Sequence, residues 1–202
     1  MSKPKLGMVI YFNPDYYPPT VNAVHLLAEH FDVVLIGRNY DPPNVEYPAN
    51  VRVHRLGKYT SIHERMQASP LAKFREYLSF LVQTRRLLQD VSLIYAYDAF
   101  AYTAAYLCRL SLSQTMPLIY QNHELEEHLA GLFSLSGWVQ RAERAWIHQA
   151  DLVVFPDRDR AAFYQKVTRL KKQPMIVPNF PRKSFFTLPE NWISLLAQRW
   201  YS

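Results

Sequence analysis

Seven short apolar runs, nearly all separated by helix-like stretches, constrain the fold of this chain more than any other feature. They lie at residues 8–12, 33–36, 51–53, 93–96, 117–120, 152–155 and 175–177. Continuous Val, Ile and Leu runs are typical of strands that are buried on both faces of a parallel sheet. The pattern therefore predicts an α/β protein: a single Rossmann-like domain with a mostly parallel sheet of about seven strands and helices on both faces.

The length of the chain, 202 residues, accommodates one such domain and no second domain of full size. We assign residues 1–182 to the Rossmann-like domain. Residues 183–202 contain no further strand pattern, but they carry apolar residues at helical spacing: Trp192, Ile193, Leu195, Leu196 and Trp200. This segment is interpreted as a C-terminal helical tail that docks on the domain, or as the start of an interdomain linker whose apolar face meets a second domain.

Composition limits the compartment and the partners. The lone Cys108 excludes an intramolecular disulfide and a cysteine metal cluster, which favours a reducing compartment. No apolar stretch reaches the roughly 18 residues of a membrane span, and no signal peptide precedes the first strand. We therefore expect a cytoplasmic protein, with peripheral contact at the inner membrane face left open. The net charge of +6 suits an anionic partner, but no strip of interleaved arginine and aromatic residues indicates nucleic-acid binding.

The sequence argues against common cofactors and against a metal. The loop 13–19 after the first run has no glycine, so it lacks both the dinucleotide fingerprint and the P-loop. His123 and His128 are five residues apart, which separates them by about 140° around a helix, so they could not share a metal as helical ligands. We expect no bound cofactor and no metal.

Candidate site residues follow the ends of the apolar runs, because ligands bind at the carboxyl ends of parallel strands. They are Asn13 and Asp15 after the first run, Arg38 and Asn39 after the second, Asp98 after the fourth, Asn122, His123 and Glu124 after the fifth, Asp157 and Arg158 after the sixth, and Asn179 after the seventh. His123 is either a loop or helix-capping residue or a hydrogen-bond donor to a substrate hydroxyl or phosphate. Asp98 and Asp157 are also candidate helix caps.

Residues 143–157 and 176–181 contain a Glu-Arg helix, an Ala-Asp turn into an apolar run, a Pro-Asp turn and a strand that closes on Pro-Asn. Together with 119–124, which ends on a histidine, they resemble the end of the N-terminal domain of retaining GT-B glycosyltransferases. This group includes glycogen synthase and bacterial enzymes of glycosyltransferase family 4. The resemblance covers roughly residues 5–182.

The resemblance implies two Rossmann-like domains with the active site between them, the N-terminal domain binding the acceptor and the C-terminal domain the nucleotide-sugar. It matches His123 to a catalytic histidine near the donor sugar, and it places Asn13, Asp15 and Tyr16 in an acceptor-facing loop. We assign Asp98 to the acceptor site as well, and Asn122, Glu124, Arg158 and Asn179 to the cleft wall. The chain lacks the glycine pair that many members carry in the first loop. No metal is generally required in such enzymes, because basic side chains and a helix N-terminus stabilise the departing diphosphate.

The leading hypothesis is therefore the acceptor-binding half of a glycosyltransferase, incomplete for catalysis without a donor-binding domain from a partner chain. Its ligands would be a nucleotide-sugar and an acceptor, with a lipid-linked acceptor and a glycan both left open. The alternative is a non-catalytic module that docks on a protein or an anionic membrane. A small hydrolase is disfavoured because no Gly-x-Ser-x-Gly elbow is present.

Overall fold

The computed structural model describes residues 3–40, 45–112, 116–123 and 128–179. Each of the seven apolar runs forms a strand, so the strand prediction is confirmed. The strands are β1 (Lys5–Ile10), β2 (Asp32–Tyr40), β3 (Val51–Thr60), β4 (Leu93–Tyr97), β5 (Leu118–Gln121), β6 (Leu152–Phe155) and β7 (Met175–Ile176).

All neighbouring strands pair in parallel, in the order β3-β2-β1-β4-β5-β6-β7. Strands β1, β2 and β3 follow one another toward one edge of the sheet, and strands β4 to β7 follow one another toward the other edge. The strand order thus reverses between β1 and β4, where Leu6 pairs with Leu93 and Ile10 with Tyr97. In sheets of this kind the crevice at the reversal point is where ligands bind.

The helices cover both faces of the sheet, as the sequence predicts. They are α1 (Pro18–Leu27), α2 (Ile62–Gln67), α3 (Pro70–Leu87), α4 (Asp98–Leu112), α5 (Leu135–Trp146) and α6 (Arg158–Thr168), with short 3-10 turns at Pro14–Tyr16 and Ile147–Gln149. On one face, α1 packs against alternate residues of β1 such as Leu6 and Met8. On the other face, α3, α4, α5 and α6 pack on Val9 and its neighbours.

Helix starts follow the caps and prolines in the sequence. Ser69 caps α3 by accepting a hydrogen bond from the Ala72 amide at 3.2 Å. Helix α1 begins at Pro18, because the pyrrolidine rings of Pro18 and Pro19 fix φ at helical values in the first turn. The predicted helical tail, 183–202, and the domain boundary at residue 182 lie outside the described residues.

Candidate functional site

A cavity of about 260 Å³ lies at the carboxyl ends of β1, β4 and β5, at the point where the strand order reverses. We refer to it as the switch-point cavity. It is lined partly by aromatic rings and partly by polar groups, and the residues that matter for its chemistry are Tyr17, Tyr97, Asp98, Phe100, Asn122 and Tyr164. Three of these directly follow or end a strand, so the sheet itself fixes their backbone positions.

The Asn122 side chain is held in one orientation by a buried hydrogen-bond network. Its amide nitrogen Nδ2 donates to the hydroxyl oxygens of Tyr120 and Tyr164, each at 3.0 Å. The Tyr120 hydroxyl in turn donates to the carboxylate of Glu143, which is 2% exposed on α5. Because both amide hydrogens are used in this way, the amide assignment is fixed by the network and the acceptor oxygen Oδ1 is left for another partner.

His123 is buried, at 2% exposure, between two tyrosine rings. Its imidazole stacks on Tyr97, with ring centroids 5.1 Å apart and planes 6° from parallel, and it contacts the tilted ring of Tyr17 at 4.6 Å. Burial, followed by the nearby charge of Arg160, lowers the pKa of His123 from 6.5 to about 4. The imidazole is therefore neutral at physiological pH, with one ring nitrogen as a donor and the other as an acceptor.

Asp98 joins the loops that follow β4 and β5. Its Oδ1 accepts a hydrogen bond from the His123 backbone amide at 2.7 Å. Its backbone has a positive φ of 59°, which is unfavourable for a residue other than glycine and is tolerated best by Asn and Asp. Strained backbone of this kind is concentrated at functional sites, where the surrounding contacts hold it in place.

Four buried polar atoms around this cavity have no hydrogen-bond partner among the described residues. They are the Tyr97 hydroxyl, Asn122 Oδ1, and Nδ1 and Nε2 of His123. Leaving such a group unpaired costs about 1–3 kcal/mol, so native proteins do so rarely. Burial also raises the pKa of Tyr97 well above its usual value, so its hydroxyl stays protonated. A cluster of neutral donors and acceptors at one end of a sheet is suited to binding hydroxyl groups.

The first loop contributes to the cavity through Tyr17. Of the residues predicted from the sequence, Asn13 is fully buried, with its side chain bonded to the Tyr40 carbonyl and to the amide of Asp15. Asp15 forms a 2.8 Å ion pair with Arg55. Asn13, Asp15 and the exposed Tyr16 do not line the switch-point cavity.

The structure separates the remaining predicted residues. Asp98 and Asn122 line the switch-point cavity, and His123 lies directly behind two of its tyrosines. Arg158 and Asn179 are exposed and do not line the cavity, whereas Glu124 lies outside the described residues. The arginine of α6 that reaches this region is Arg160, whose guanidinium donates to the His123 carbonyl.

Sequence reasoning did not select Tyr17, Tyr120, Tyr164, Glu143 or Arg160 as site residues. One of them could have been found in the sequence: Glu143 is a charged residue on the face of α5 that packs into the protein, together with Val139 and Gln140. A carboxylate at such a position requires a hydrogen-bonding partner inside the protein. The tyrosines look like ordinary core residues, because only the folded structure shows where their hydroxyls meet.

Within the described part of the chain, no three His, Cys, Asp or Glu side chains lie close enough together to hold a metal ion. No helix in those ranges is both long and apolar enough to cross a bilayer. Asp157, the second candidate cap, caps α6 by accepting from the Arg160 amide at 2.8 Å.

No family model matches this chain, and no curated protein gives a significant sequence match. Solved structures do match. Sucrose-phosphate synthase from Thermosynechococcus elongatus aligns over 96% of this chain and 53% of its own, at 14% identity and a TM-score of 0.68. Phytolacca americana UGT2, solved with UDP-2-fluoro-glucose and pterostilbene, aligns over 98% and 57%, at 12% identity and a TM-score of 0.60. Anabaena HepE, solved with UDP, aligns over 97% and 49%, at 13% identity and a TM-score of 0.56.

These proteins are GT-B glycosyltransferases, and the chain shares the fold of part of each. It spans about half of their length, which fits one of the two Rossmann-like domains of that fold. The resemblance inferred from 119–124, 143–157 and 176–181 is thereby confirmed at the level of the fold.

Proposed function

We propose that this chain is the acceptor-binding half of a nucleotide-sugar-dependent glycosyltransferase and that a donor-binding domain in another chain completes it. The observation that carries the proposal is the cluster of unpaired buried atoms on Tyr97, Asn122 and His123 beside the switch-point cavity. It supports an acceptor site because these atoms are neutral donors and acceptors, which match hydroxyl groups rather than phosphates. The matched structures that hold UDP or a UDP-sugar support a nucleotide-sugar as the donor.

In this proposal Asn122 Oδ1 accepts a hydrogen bond from one acceptor hydroxyl, and the Tyr97 hydroxyl binds a second. Neutral His123 binds the reacting hydroxyl. Its lowered pKa makes it a weak base, so its contribution is orientation and hydrogen bonding at the reacting oxygen more than full proton removal. Asp98 holds the His123 backbone in place through the 2.7 Å hydrogen bond.

Access to His123 requires a movement of Tyr17. The tyrosine ring is half-buried and covers the imidazole at 4.6 Å. It comes from the first loop, just before α1, and its side chain can rotate without unfolding a strand. We propose that the acceptor displaces this ring when it enters the switch-point cavity, which exchanges one aromatic contact with His123 for a hydrogen bond.

The test is a transfer assay with radiolabelled UDP-glucose and a membrane extract that supplies acceptor and donor domain. The purified chain with a protein-free fraction of the extract, which supplies acceptor but no donor domain, should transfer no sugar. Adding the chain to the whole extract should raise transfer above the extract alone. The His123→Ala variant should abolish that increase, while His30→Asn, which removes an exposed imidazole, should retain it. Robust transfer by the chain alone would refute incompleteness, and equal activity of His123→Ala would refute the assigned site.

The second candidate is a non-catalytic module that docks on an anionic membrane or a protein. It is favoured by the net charge of +6 and by apolar side chains that stand in solvent, Leu132 at 62% exposure and Phe133 at 100%. It predicts vesicle binding that weakens with added salt and is unchanged in His123→Ala. Co-sedimentation with vesicles of phosphatidylglycerol at low and high salt distinguishes it from the first candidate.

A further inference from the structure

Three cavities adjoin one another between the switch-point end of the sheet and the helices on one of its faces. Two further cavities, of about 600 and 500 Å³, follow the first. The second cavity shares Tyr11 and Phe100 with the switch-point cavity. It shares Pro70, Ser134 and Leu135 with the third, which lies between α3, α4 and α5. The three spaces therefore lie in a row, each sharing a wall with the next. We call this row the path and the third cavity the α3/α5 groove.

Polarity falls along this path. The switch-point cavity carries Asp98 and Asn122, and the second cavity has Lys73 and Glu76 in its wall. The α3/α5 groove is lined almost wholly by apolar side chains, among them Phe74, Leu78, Leu81, Leu107, Trp138 and Trp146. A site with hydrogen-bonding groups at one end and an apolar lining at the other complements a molecule that is polar at one end only.

Several large apolar side chains of the groove are exposed to solvent. Phe74 is 46% exposed, Leu78 45% and Trp138 67%. Contiguous apolar surface of this kind marks a binding site in a folded protein. The position of the groove favours one occupant: the groove adjoins the switch-point cavity through the second cavity, as expected for the apolar end of a molecule whose polar end is bound in the switch-point cavity.

We infer that the acceptor is an amphiphile, with its hydroxylated head in the switch-point cavity and its apolar chain in the α3/α5 groove. This inference rests on the proposed function, because it names the class of acceptor for the same site. The apolar chain of the amphiphile crosses the outer side of the stacked Tyr11 and Phe100 rings, which both adjoining cavities contact, and extends toward Trp138. Burial of its methylenes against Leu78 and Phe74 supplies the affinity, and the hydrogen bonds of the head supply the orientation.

The experiment measures binding of n-alkyl β-D-glucosides of increasing chain length to the full chain, below their micelle concentrations, by isothermal titration calorimetry. Each methylene buried in the groove should tighten binding about fourfold until the groove is full. Leu78→Glu should remove most of this dependence on chain length. Leu71→Glu is the matched control, since Leu71 lies on the same helix at 65% exposure but does not line the groove, and it should bind as the parent does.

Three results would overturn the inference. One is affinity independent of chain length, and another is an equal effect of Leu78→Glu and Leu71→Glu. The third is tighter binding in Leu196→Glu, which would assign the groove to the chain's own terminal segment. The transfer assay separates this failure from failure of the proposed function. His123-dependent transfer to a short glycan without alkyl binding would overturn this inference and leave the function standing. Alkyl binding without such transfer would overturn the function and, with it, the role of the amphiphile as acceptor, leaving an amphiphile-binding site.

Discussion

Lowering the pH should destabilise this protein through His123, and the size of the effect follows from its environment. The imidazole is 2% exposed between Tyr97 and Tyr17, and its pKa is lowered from 6.5 to about 4, first by burial and then by Arg160. In the unfolded chain the same group has an ordinary pKa. Between these two values the unfolded state therefore binds more protons than the folded state.

The sign and the window follow directly. The stability associated with neutral His123 is fully present above about pH 6.5 and is lost as the pH falls toward 4. The difference in pKa corresponds to roughly 3 kcal/mol of unfolding free energy across this window. Other groups also titrate there, so the quantity to compare is the difference in pH dependence between the parent and His123→Asn.

The assay is urea denaturation followed by circular dichroism, at several pH values between about 4 and 7.5. This range covers the window in which the His123 imidazole titrates. His123→Asn should lose about 3 kcal/mol less than the parent over this range. His30→Asn, at an exposed position, should retain the parent dependence. Identical slopes for the parent and His123→Asn would refute the argument that burial holds this imidazole neutral. Titration of the His123 ring by ¹⁵N NMR checks the same pKa without a substitution.

Three further predictions concern the structure around the site. Gly37→Ala should cost about 1–3 kcal/mol of unfolding free energy in thermal denaturation, because the added Cβ would lie 2.6 Å from a rigid proline ring carbon. Gly131→Ala, whose Cβ would meet no atom within 4 Å, should change stability little, and equal effects of the two variants would contradict this reasoning. Tyr120→Phe should cost about 1–3 kcal/mol in urea denaturation, because it leaves a buried carboxylate and a buried amide short of a partner; a neutral result would show that the network is unimportant. Asp98→Asn should keep the stability of the parent, whereas Asp98→Ala should lose about 1–3 kcal/mol of unfolding free energy in urea denaturation. Alanine lacks the oxygen that accepts from the His123 amide, and it tolerates the positive φ less well. The reverse order of stabilities would rule this out.

The fold was predictable because each strand of a parallel sheet is buried on both faces and so appears in the sequence as a continuous apolar run. The runs at 33–36 and 51–53 predict the cores of β2 and β3 but not their full lengths. The ends of these strands are polar, and pairing with a neighbour extends them. The helical stretches between the runs predict a mostly parallel sheet and the fold class. They do not specify the order of the strands within the sheet.

The sequence predicts where the candidate site lies better than it predicts which residues form it. Asp98, Asn122 and His123 were selected because they follow strand ends, and the structure brings them together. Asn13 and Asp15 follow a strand end as well, but their side chains bond to groups from β2, β3 and the segment before β3. Those partners are 27 to 40 residues away along the chain, so local sequence gives no sign of them.

The choice between Arg158 and Arg160 shows a second limit. Both follow the end of β6 in the sequence, but the cap formed by Asp157 sets the direction of the first turn of α6. That geometry exposes Arg158 and directs Arg160 to the His123 carbonyl. Side-chain direction in a first helical turn depends on the cap, and residue type and spacing alone do not specify it.

In the proposed function, the switch-point cavity binds the hydroxylated head of an acceptor next to His123. The most direct measurement is ¹⁵N NMR of the His123 ring nitrogens and the Trp138 indole during titration with decyl β-D-glucoside. Both groups should shift with the same saturation curve, because one molecule reaches from the cavity to the α3/α5 groove. A shift at Trp138 with none at His123 would contradict it.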